Sequence, residues 1–424
     1  MKNSVERLRF VVTGIGGYAV AHMEAIDWLA DQGLARLSGV VALDEDRQRY
    51  PDLVNSLESK GVALFGSVEE LLGSDFGEVD VLTLPIGIHL HVPVSIAAMR
   101  AGLHVYCEKP AAATVQEVDK LIAVEKETNK KIAIGFQHIY SHSMQQLKAR
   151  ICEGRLGQIK SISLMCGWPR SQQYYARNDW AGRLRKNSDW ILDSPANNAH
   201  AHYLFNMLYL SSTDPNGAAF PIEVRSELYR ANKIESADTT QMQFKTEDGT
   251  AGHIILTHCN EHENGPFMRL ECENGNVEWH TDNGKTSIKY RDDSTEELDN
   301  LVHDKWRFEG FRDFVQAIQN NTDPICTPEL ARSHTLTINA MHESCPEITQ
   351  IPEKHIAEVE DWEMFPPDTK GDFRIVERMD EYMRRAYVQS KFLSELEIPW
   401  AKRSTSKTFK TTDYCHFPER NDTR

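Results

Sequence analysis

The sequence predicts an α/β protein: an N-terminal doubly wound parallel sheet followed by an α+β domain built on a mostly antiparallel sheet. Three observations predict it. Over residues 1–135, short and nearly continuous apolar runs alternate with amphipathic stretches, the pattern of parallel strands covered by helices on both faces. After about residue 136, strand-like segments follow with fewer helices between them, some joined by turn sequences as in hairpins. The chain has 424 residues, 40% apolar and 26% charged. That balance belongs to two or three globular domains and excludes disordered, collagen-like and coiled-coil classes.

The elements follow in order. Leu8–Thr13 reads as a strand and Tyr18–Leu29 as a helix. Strands are predicted at Gly39–Leu43, Val79–Leu84, His104–Tyr106 and Lys131–Ile134. Thr114–Asn129 is a helix opened by a capping box of Thr114 and Glu117. The second part, 136–345, holds strands at Ile159–Met165, Thr239–Phe244, His253–Thr257 and Met268–Cys272, with turns at Glu247–Thr250 and Glu273–Asn276. Helices on one face of that sheet complete the expected layer. Phe311–Asn320 reads as a helix, and a C-terminal extension, 346–424, carries another near Arg374–Ser394. The extension is expected to pack on the domains or on a partner subunit.

Charge and cysteine usage exclude several partners. With 47 basic and 63 acidic residues the formal charge is −16, so nucleic acid and anionic membranes are repelled. No apolar run reaches the roughly 18 residues of a membrane span, and Met1–Arg7 lacks the pattern of a secretion signal. Eight scattered cysteines without a C-x-x-C pair fit reduced thiols and a cytoplasmic location. Four histidine pairs (His138/His142, His258/His262, His89/His91 and His200/His202) lack an acidic or cysteine partner at ligand spacing. No metal is expected.

The turn after the first strand carries the clearest chemistry. Gly14, Ile15, Gly16, Gly17, Tyr18 and Ala19 give the spacing G-x-G-x-x-A between a strand and a helix. Gly14 permits the tight turn, Gly16 lets the backbone approach a pyrophosphate, and Ala19 permits close helix–strand packing. The helix N-terminus supplies amide donors and a positive dipole end to the phosphates. Asp44, at the end of the second strand, is placed to accept from the ribose hydroxyls and repel a 2′-phosphate, which favours NAD over NADP. The alternative for Asp44 is a simple strand-end turn residue.

Further along, the tract Ala101-Gly102-Leu103-His104-Val105-Tyr106-Cys107-Glu108-Lys109-Pro110 resembles the "AGKHV-x-x-EKP" signature of the Gfo/Idh/MocA oxidoreductases. His22 extends the glycine motif as that family does. Asp44, Asp46 and Arg49 meet its D-x-D-x-x-R, and Thr83, Pro85 and His91 meet its T-P-N-x-x-H loosely, without the Asn. Gly154-Arg155-Leu156-Gly157 resembles its G-x-L-G turn. The likeness runs from residue 8 to about 340. It implies an N-terminal Rossmann domain, an open-faced antiparallel sheet that often mediates dimerisation, and a homodimer or homotetramer. It also implies a small-molecule substrate, a sugar, glycoside or cyclitol, lying against the nicotinamide. The cofactor contacts it implies include Glu108, Lys109 and Gln137.

Oxidising a secondary alcohol needs a hydride acceptor, a base for the hydroxyl proton and a donor to the reacting oxygen. Lys109, held extended before Pro110, suits the last role, and the resemblance makes a cis bond there plausible. Family members carry D-x-G-x-H in the second domain, where this chain has Asp193-Ser194-Pro195-Ala196-Asn197-Asn198-Ala199-His200-Ala201-His202. With Ser194 as N-cap and Pro195 opening a helix, Asn198 and His202 share one face. His202 is then the acid–base, with His200 the alternative, and Asn198 stands where the family has Asp. Asp179, Asp189 or Asp193 are candidates to replace that carboxylate. Arg177, Asn178 and Trp180 form a platform for a polyhydroxylated ring. Tyr229, Arg230 and Lys233, ahead of Asp238, are further candidates for an acidic substituent.

The leading reading is an NAD-dependent oxidoreductase. The alternatives are a glycoside hydrolase or lyase working through transient oxidation and elimination with tightly held NAD, and a non-catalytic NAD-binding sensor.

Overall fold

The computed structural model describes residues 7–74, 79–279, 286–298, 305–362, 371–402 and 407–419, so most of the segment Met1–Arg7 read above lies outside the described residues. The chain forms two compact units: residues 1–112, 116–140 and 303–332 make the first, and 113–115, 141–302 and 333–424 the second.

In the first unit six strands form a parallel sheet: β1 (Leu8–Thr13), β2 (Ala35–Val41), β3 (Ala63–Phe65), β4 (Val81–Leu84), β5 (His104–Cys107) and β6 (Ile132–Ile134). The order is β3-β2-β1-β4-β5-β6, a doubly wound sheet with its switch point between β1 and β4. Phe10 and Val12 of β1 are fully buried and share a core with Ile26 and Leu29 of helix α1 (Ala19–Asp31). The helix Glu309–Asn320, late in the chain, joins that core through Phe311 and Phe314. Phe311 stacks on Tyr106 with ring centroids 4.0 Å apart.

Two local expectations shift. The second strand ends at Val41, so Asp44 opens the short helix α2 (Asp44–Arg49) instead of closing the strand. In the extension, Arg374 lies in the strand Gly371–Val376, and the helix begins only at Met379. Arg378, in the left-handed region at φ 63°, separates them, because a right-handed helix cannot run through such a residue.

The second unit is built on a ten-stranded mixed sheet. From one edge its strands are Thr295–Leu298, Thr286–Tyr290, Gly275–Trp279, Asn264–Cys272, Ile159–Gly167, Ala251–Thr257, Thr239–Thr246, Pro221–Arg230 and Thr349–Gln350, with Phe409–Lys410 also paired to Pro221–Arg230. Most pairs are antiparallel, but Ile159–Gly167 and Ala251–Thr257 run parallel. The inner face meets helices: Ser226 donates to the carbonyl of Met341 at 2.6 Å. On the outer face Met165, Tyr229 and Ile255 pack with Met379, Tyr382, Met383, Leu393 and Trp400 of the extension. The sheet is therefore open over only part of that face.

Candidate active site

The glycine turn sits at the C-terminal end of β1, beside the switch point. Gly14 has φ +89° and Gly17 φ +58°, conformations that residues with a Cβ rarely adopt. A Cβ on Gly14 would lie 3.6 Å from that of Ala19, so the close helix–strand packing read from the spacing is present. A Cβ on Gly16 would meet the Tyr50 ring at 2.5 Å. An aromatic neighbour thus stands against Gly16 and would have to shift for a side chain there, which the spacing did not reveal. Ile15 is fully buried.

At the switch point Thr13 Oγ1 donates to the carbonyl of Thr83 at 2.9 Å. Thr83 Oγ1 itself is buried and has no partner among the described residues. A positive-φ turn, open space beyond Gly17 and this unanswered hydroxyl together fit a bound dinucleotide. Asp44 and Arg49 are exposed on α2, and the Arg49 guanidinium lies 5.7 Å from the Tyr50 ring centroid.

Other predicted cofactor residues hold the turn's surroundings. Glu108, almost buried, accepts from His22 Nε2 at 3.2 Å and from the Lys109 amide at 3.2 Å. A Cβ on Gly135 would come within 2.7 Å of the Glu108 carboxylate. The carboxylate thus ties α1 to the end of β5. Tyr18 donates its hydroxyl to Gln137 Oε1 at 3.0 Å. Lys109 is half-buried, and the Lys109–Pro110 bond is cis.

His91 lies within the helix Ile88–Arg100, its ring nitrogens 2.8 Å from the Pro110 carbonyl and 3.0 Å from that of Ile86. Burial lowers its pKa. A neutral ring carries one N–H, so it donates to one carbonyl at a time. That occupies His91 in bracing the β5 exit. Pro85 is half-buried just past β4.

In the second unit the helix starts later than the Ser-Pro signal implies. It spans Ala201–Leu210, with His200 as its N-cap residue, and residues 195–200 form irregular turns. Asn198 and His202 therefore do not share a face of one α-helix. Local side-chain bonds compete with the helix here. Asn197 donates to the carbonyls of Ile191 and Leu192, both at 3.2 Å, and Asn198 donates to Asp193 Oδ1 at 2.8 Å. Ser194 Oγ is buried without a partner among the described residues, so it caps none of the backbone amides there.

Of the three candidate carboxylates, Asp193 is the one the fold brings to Asn198. It is buried, and its Oδ2 accepts from the Gly182 amide at 2.6 Å. Asp179 pairs with Lys186 at 2.8 Å, and Asp189 is exposed beside Ser188. His202 is buried in the first turn of its helix.

Around His200 stands a cluster that the sequence reading did not assemble. Its ring centroid lies 4.9 Å from Trp168 and 4.8 Å from His258. Arg170 sits over Trp168 and Tyr174, at 5.7 and 5.2 Å from their centroids. Burial, reinforced by Arg170, holds His258 well below the usual histidine range, and its Nδ1 lies 2.8 Å from the Trp168 carbonyl. The available signal was position: Trp168 and His258 directly follow the ends of two adjacent strands, where Gly167 pairs with Thr257.

Arg177 stacks on Tyr174 at 3.6 Å and reaches toward Trp180 at 5.4 Å. Asn178 spends its carbonyl on the amides of Trp180 and Ala181, at 3.1 and 2.8 Å, which makes it a turn-former. Tyr229, Arg230 and Asp238 are committed to structure. Tyr229 donates to Glu227 at 2.7 Å, Arg230 bonds Gln350 at 3.0 Å, and Asp238 accepts from the Ala231 and Asn232 amides. Lys233 is exposed.

Among the described residues one cluster, Glu261, His262 and Asp380, has ligand atoms close enough for a cation. Asp380 there already accepts from Asn260 at 2.9 Å and Asn264 at 3.2 Å. No helix among the described residues is long and apolar enough to cross a membrane.

Comparison with known proteins places the first unit. Residues 8–136 match the family described as "Oxidoreductase family, NAD-binding Rossmann fold". An uncharacterized oxidoreductase of Rhizobium meliloti is 31% identical over 158 residues, 37% of this chain and 45% of the relative. Inositol 2-dehydrogenase of Salmonella typhimurium is 28% identical over 155 residues, 36% of this chain and 39% of the relative. Each match spans less than half of the relative's own length. The fold extends further. The WlbA dehydrogenase of Bordetella pertussis, solved with NADH and UDP-GlcNAcA, superposes with a TM-score of 0.66 at 21% identity, covering 80% of this chain and 96% of that one. With its glycine turn, its order of strands and its Glu-Lys-Pro tract, the segment 8–136 is an NAD-binding Rossmann domain of the Gfo/Idh/MocA oxidoreductase family.

Proposed function

We propose that this protein is an NAD-dependent oxidoreductase that oxidises a secondary alcohol of a sugar, sugar derivative or cyclitol. The observation that carries the reading is the 2.8 Å bond from Asn198 to buried Asp193. The family pattern puts a carboxylate at the Asn198 position, and the bond returns a carboxylate to that neighbourhood from five residues upstream. The names of similar proteins support the substrate class: inositol 2-dehydrogenase by sequence, and a dehydrogenase crystallised with a nucleotide sugar acid by fold.

In this reading the Lys109 ammonium donates a hydrogen bond to the substrate hydroxyl oxygen. It lowers the hydroxyl's pKa and holds the carbonyl oxygen that forms. The His202 imidazole accepts the hydroxyl proton. Asp193 anchors Asn198, which orients the base. A nicotinamide cofactor, held at the glycine turn of residues 14–19, would supply the acceptor for the hydride that leaves the carbinol carbon. Asp44, exposed at the start of α2, selects NAD by accepting from the adenosine ribose hydroxyls. Arg170 and Arg177, each spread over aromatic rings, provide cationic and flat apolar surface for a sugar bearing an acidic group.

The test is a panel of cyclitols, aldoses, uronic acids and nucleotide sugars, followed by absorbance of the reduced nicotinamide. At least one is expected to give turnover. Lys109→Met and His202→Asn should each lower kcat by about 10²- to 10⁴-fold, and His202→Asn should do so with NADH affinity kept. Turnover unchanged in both variants would remove the reading.

A further inference from the structure

The outer face of the ten-stranded sheet is divided. One part is apolar and covered, with Met165, Ile255 and Tyr229 packed beneath Met379, Met383 and Trp400 of the extension. The other part is polar and holds a cavity of about 430 Å³. Strand register lays two rows of side chains along its floor. Ser163, His253, Gln243 and Arg225 pair successively across four strands in one row. Ser161, Ala251, Lys245 and Glu223 form the next. Ser390 and Thr408, from the extension, also line it.

One donor in this cavity has a fixed direction. Gln241 accepts from the Leu393 amide at 2.8 Å through Oε1 and donates to the Lys391 carbonyl at 2.8 Å through Nε2. Its amide orientation is therefore set by the backbone of the extension. The same Nε2 lies 2.8 Å from His253 Nε2, which must accept. The ring proton is left on Nδ1. His253 is 4% exposed, and its Nδ1 has no partner among the described residues. Burial pushes its pKa down to about 4, so the ring stays neutral with this tautomer near neutral pH. A buried N–H without an acceptor costs free energy that a ligand would recover. Beside it Lys245 is exposed and makes no ion pair among the described residues, and Arg225 lies 3.5 Å from Glu395 and 4.6 Å from the Phe392 ring centroid.

We propose that this cavity, built wholly from the second unit, is a binding site for a small hydroxylated molecule carrying an oxyanion, a carboxylate or a phosphate. Lys245 and the His253 Nδ1–H hold the oxyanion, and Ser163, Ser390 and Glu223 meet the hydroxyls. A second copy of the chain is the less fitting occupant. Charged groups are depleted at the core of homodimer interfaces, whereas Lys245, Arg225 and Glu223 are concentrated here, and the apolar part of the face is already covered from within the chain. The Gln241 and Gln243 bonds to Lys391, Leu393 and Ser390 make the extension part of the site wall.

The experiment titrates the full-length protein, without NAD, with inorganic phosphate, with D-glucuronate and with uncharged myo-inositol by calorimetry, alongside Lys245→Glu. Phosphate, glucuronate or both are expected to bind, the one that does identifying the oxyanion, and myo-inositol is expected not to. Lys245→Glu should weaken that binding by about tenfold or more. The NADH affinity of the variant, read separately, should equal that of the parent, since the exposed Lys245 side chain supports no packing. No binding of either anion, binding that Lys245→Glu leaves unchanged, or an oligomer that Lys245→Glu dissociates would each overturn the proposal. None of these results depends on turnover, so the oxidoreductase reading stands or falls apart from this one.

Discussion

Two turns carry the proposed chemistry, and they are built by different means. The nucleotide turn, residues 13–19, is made by its own residues: a strand, positive-φ glycines and a helix, with Gly14 and Ala19 only five positions apart. The turn 193–202 is made by competition. Asn197 and Asn198 draw the backbone away from a helix that the Ser-Pro signal favours, and buried Asp193 holds the result from upstream. The first kind of turn is set by backbone sterics, the second by which side chain reaches a carbonyl or carboxylate first. The lesson is that a motif defined by glycine conformation survives reading in one dimension, while a motif defined by side-chain partners does not.

The sharpest break in that comparison is Gly14→Val. At φ +89° a β-branched residue is strained, and NADH titration by fluorescence should show affinity lost by about 100-fold or more, from roughly 3 kcal/mol of strain and displaced phosphate contacts. Next comes Met383→Ala in the extension. Met383 is fully buried against the sheet, and its truncation should cost about 2–5 kcal/mol in denaturant unfolding of the second unit. A loss below 1 kcal/mol would mean that the extension does not hold the sheet face.

Asp193→Asn tests the second turn directly. If Asp193 acts on the base through Asn198, kcat should fall by about tenfold or more and the pH–rate profile should shift its limb. A purely structural Asp193 would lower the melting temperature and leave that limb in place. The smallest effect is expected in the first unit at Glu125, whose pKa burial raises to about 7 while it accepts from the Ile132 amide at 3.1 Å. A carboxyl raised in the folded state binds more protons there than in the unfolded chain. Stability from this group is therefore greatest below pH 4 and declines as pH rises through 7. Glu125→Gln should raise the melting temperature at pH 8 by about 1–3 °C and leave it unraised at pH 5. A rise of equal size at both would show that ionisation is not the cause.

Legibility followed the same division. The β1 turn, the alternating strands and the Glu-Lys-Pro tract could be read because each is contiguous in sequence. Arg374–Val376, the end of the strand Gly371–Val376, reads as helix in sequence because its state is set by a partner, Ile356–Trp362, and by the left-handed Arg378. Tyr229 and Arg230 looked like substrate contacts because their polar groups are written in the sequence and their partners, Glu227 and Gln350, are not paired with them there. Trp168, Arg170 and His258 were missed for a related reason. They meet only because two strands separated by some ninety residues run side by side in parallel.

By itself the sequence determined the Rossmann unit, its glycine turn and the identity of the lysine that follows β5, because near-neighbour sterics and hydrophobic period act within a few residues of chain. Only the tertiary structure decided which carboxylate bonds Asn198, which aromatic ring stands against Gly16, and that residues between Met379 and Trp400 cover part of a sheet face. Those outcomes depend on side chains that meet across long stretches of chain, and such meetings are fixed by burial and hydrogen-bond satisfaction over the whole unit, which no local pattern encodes.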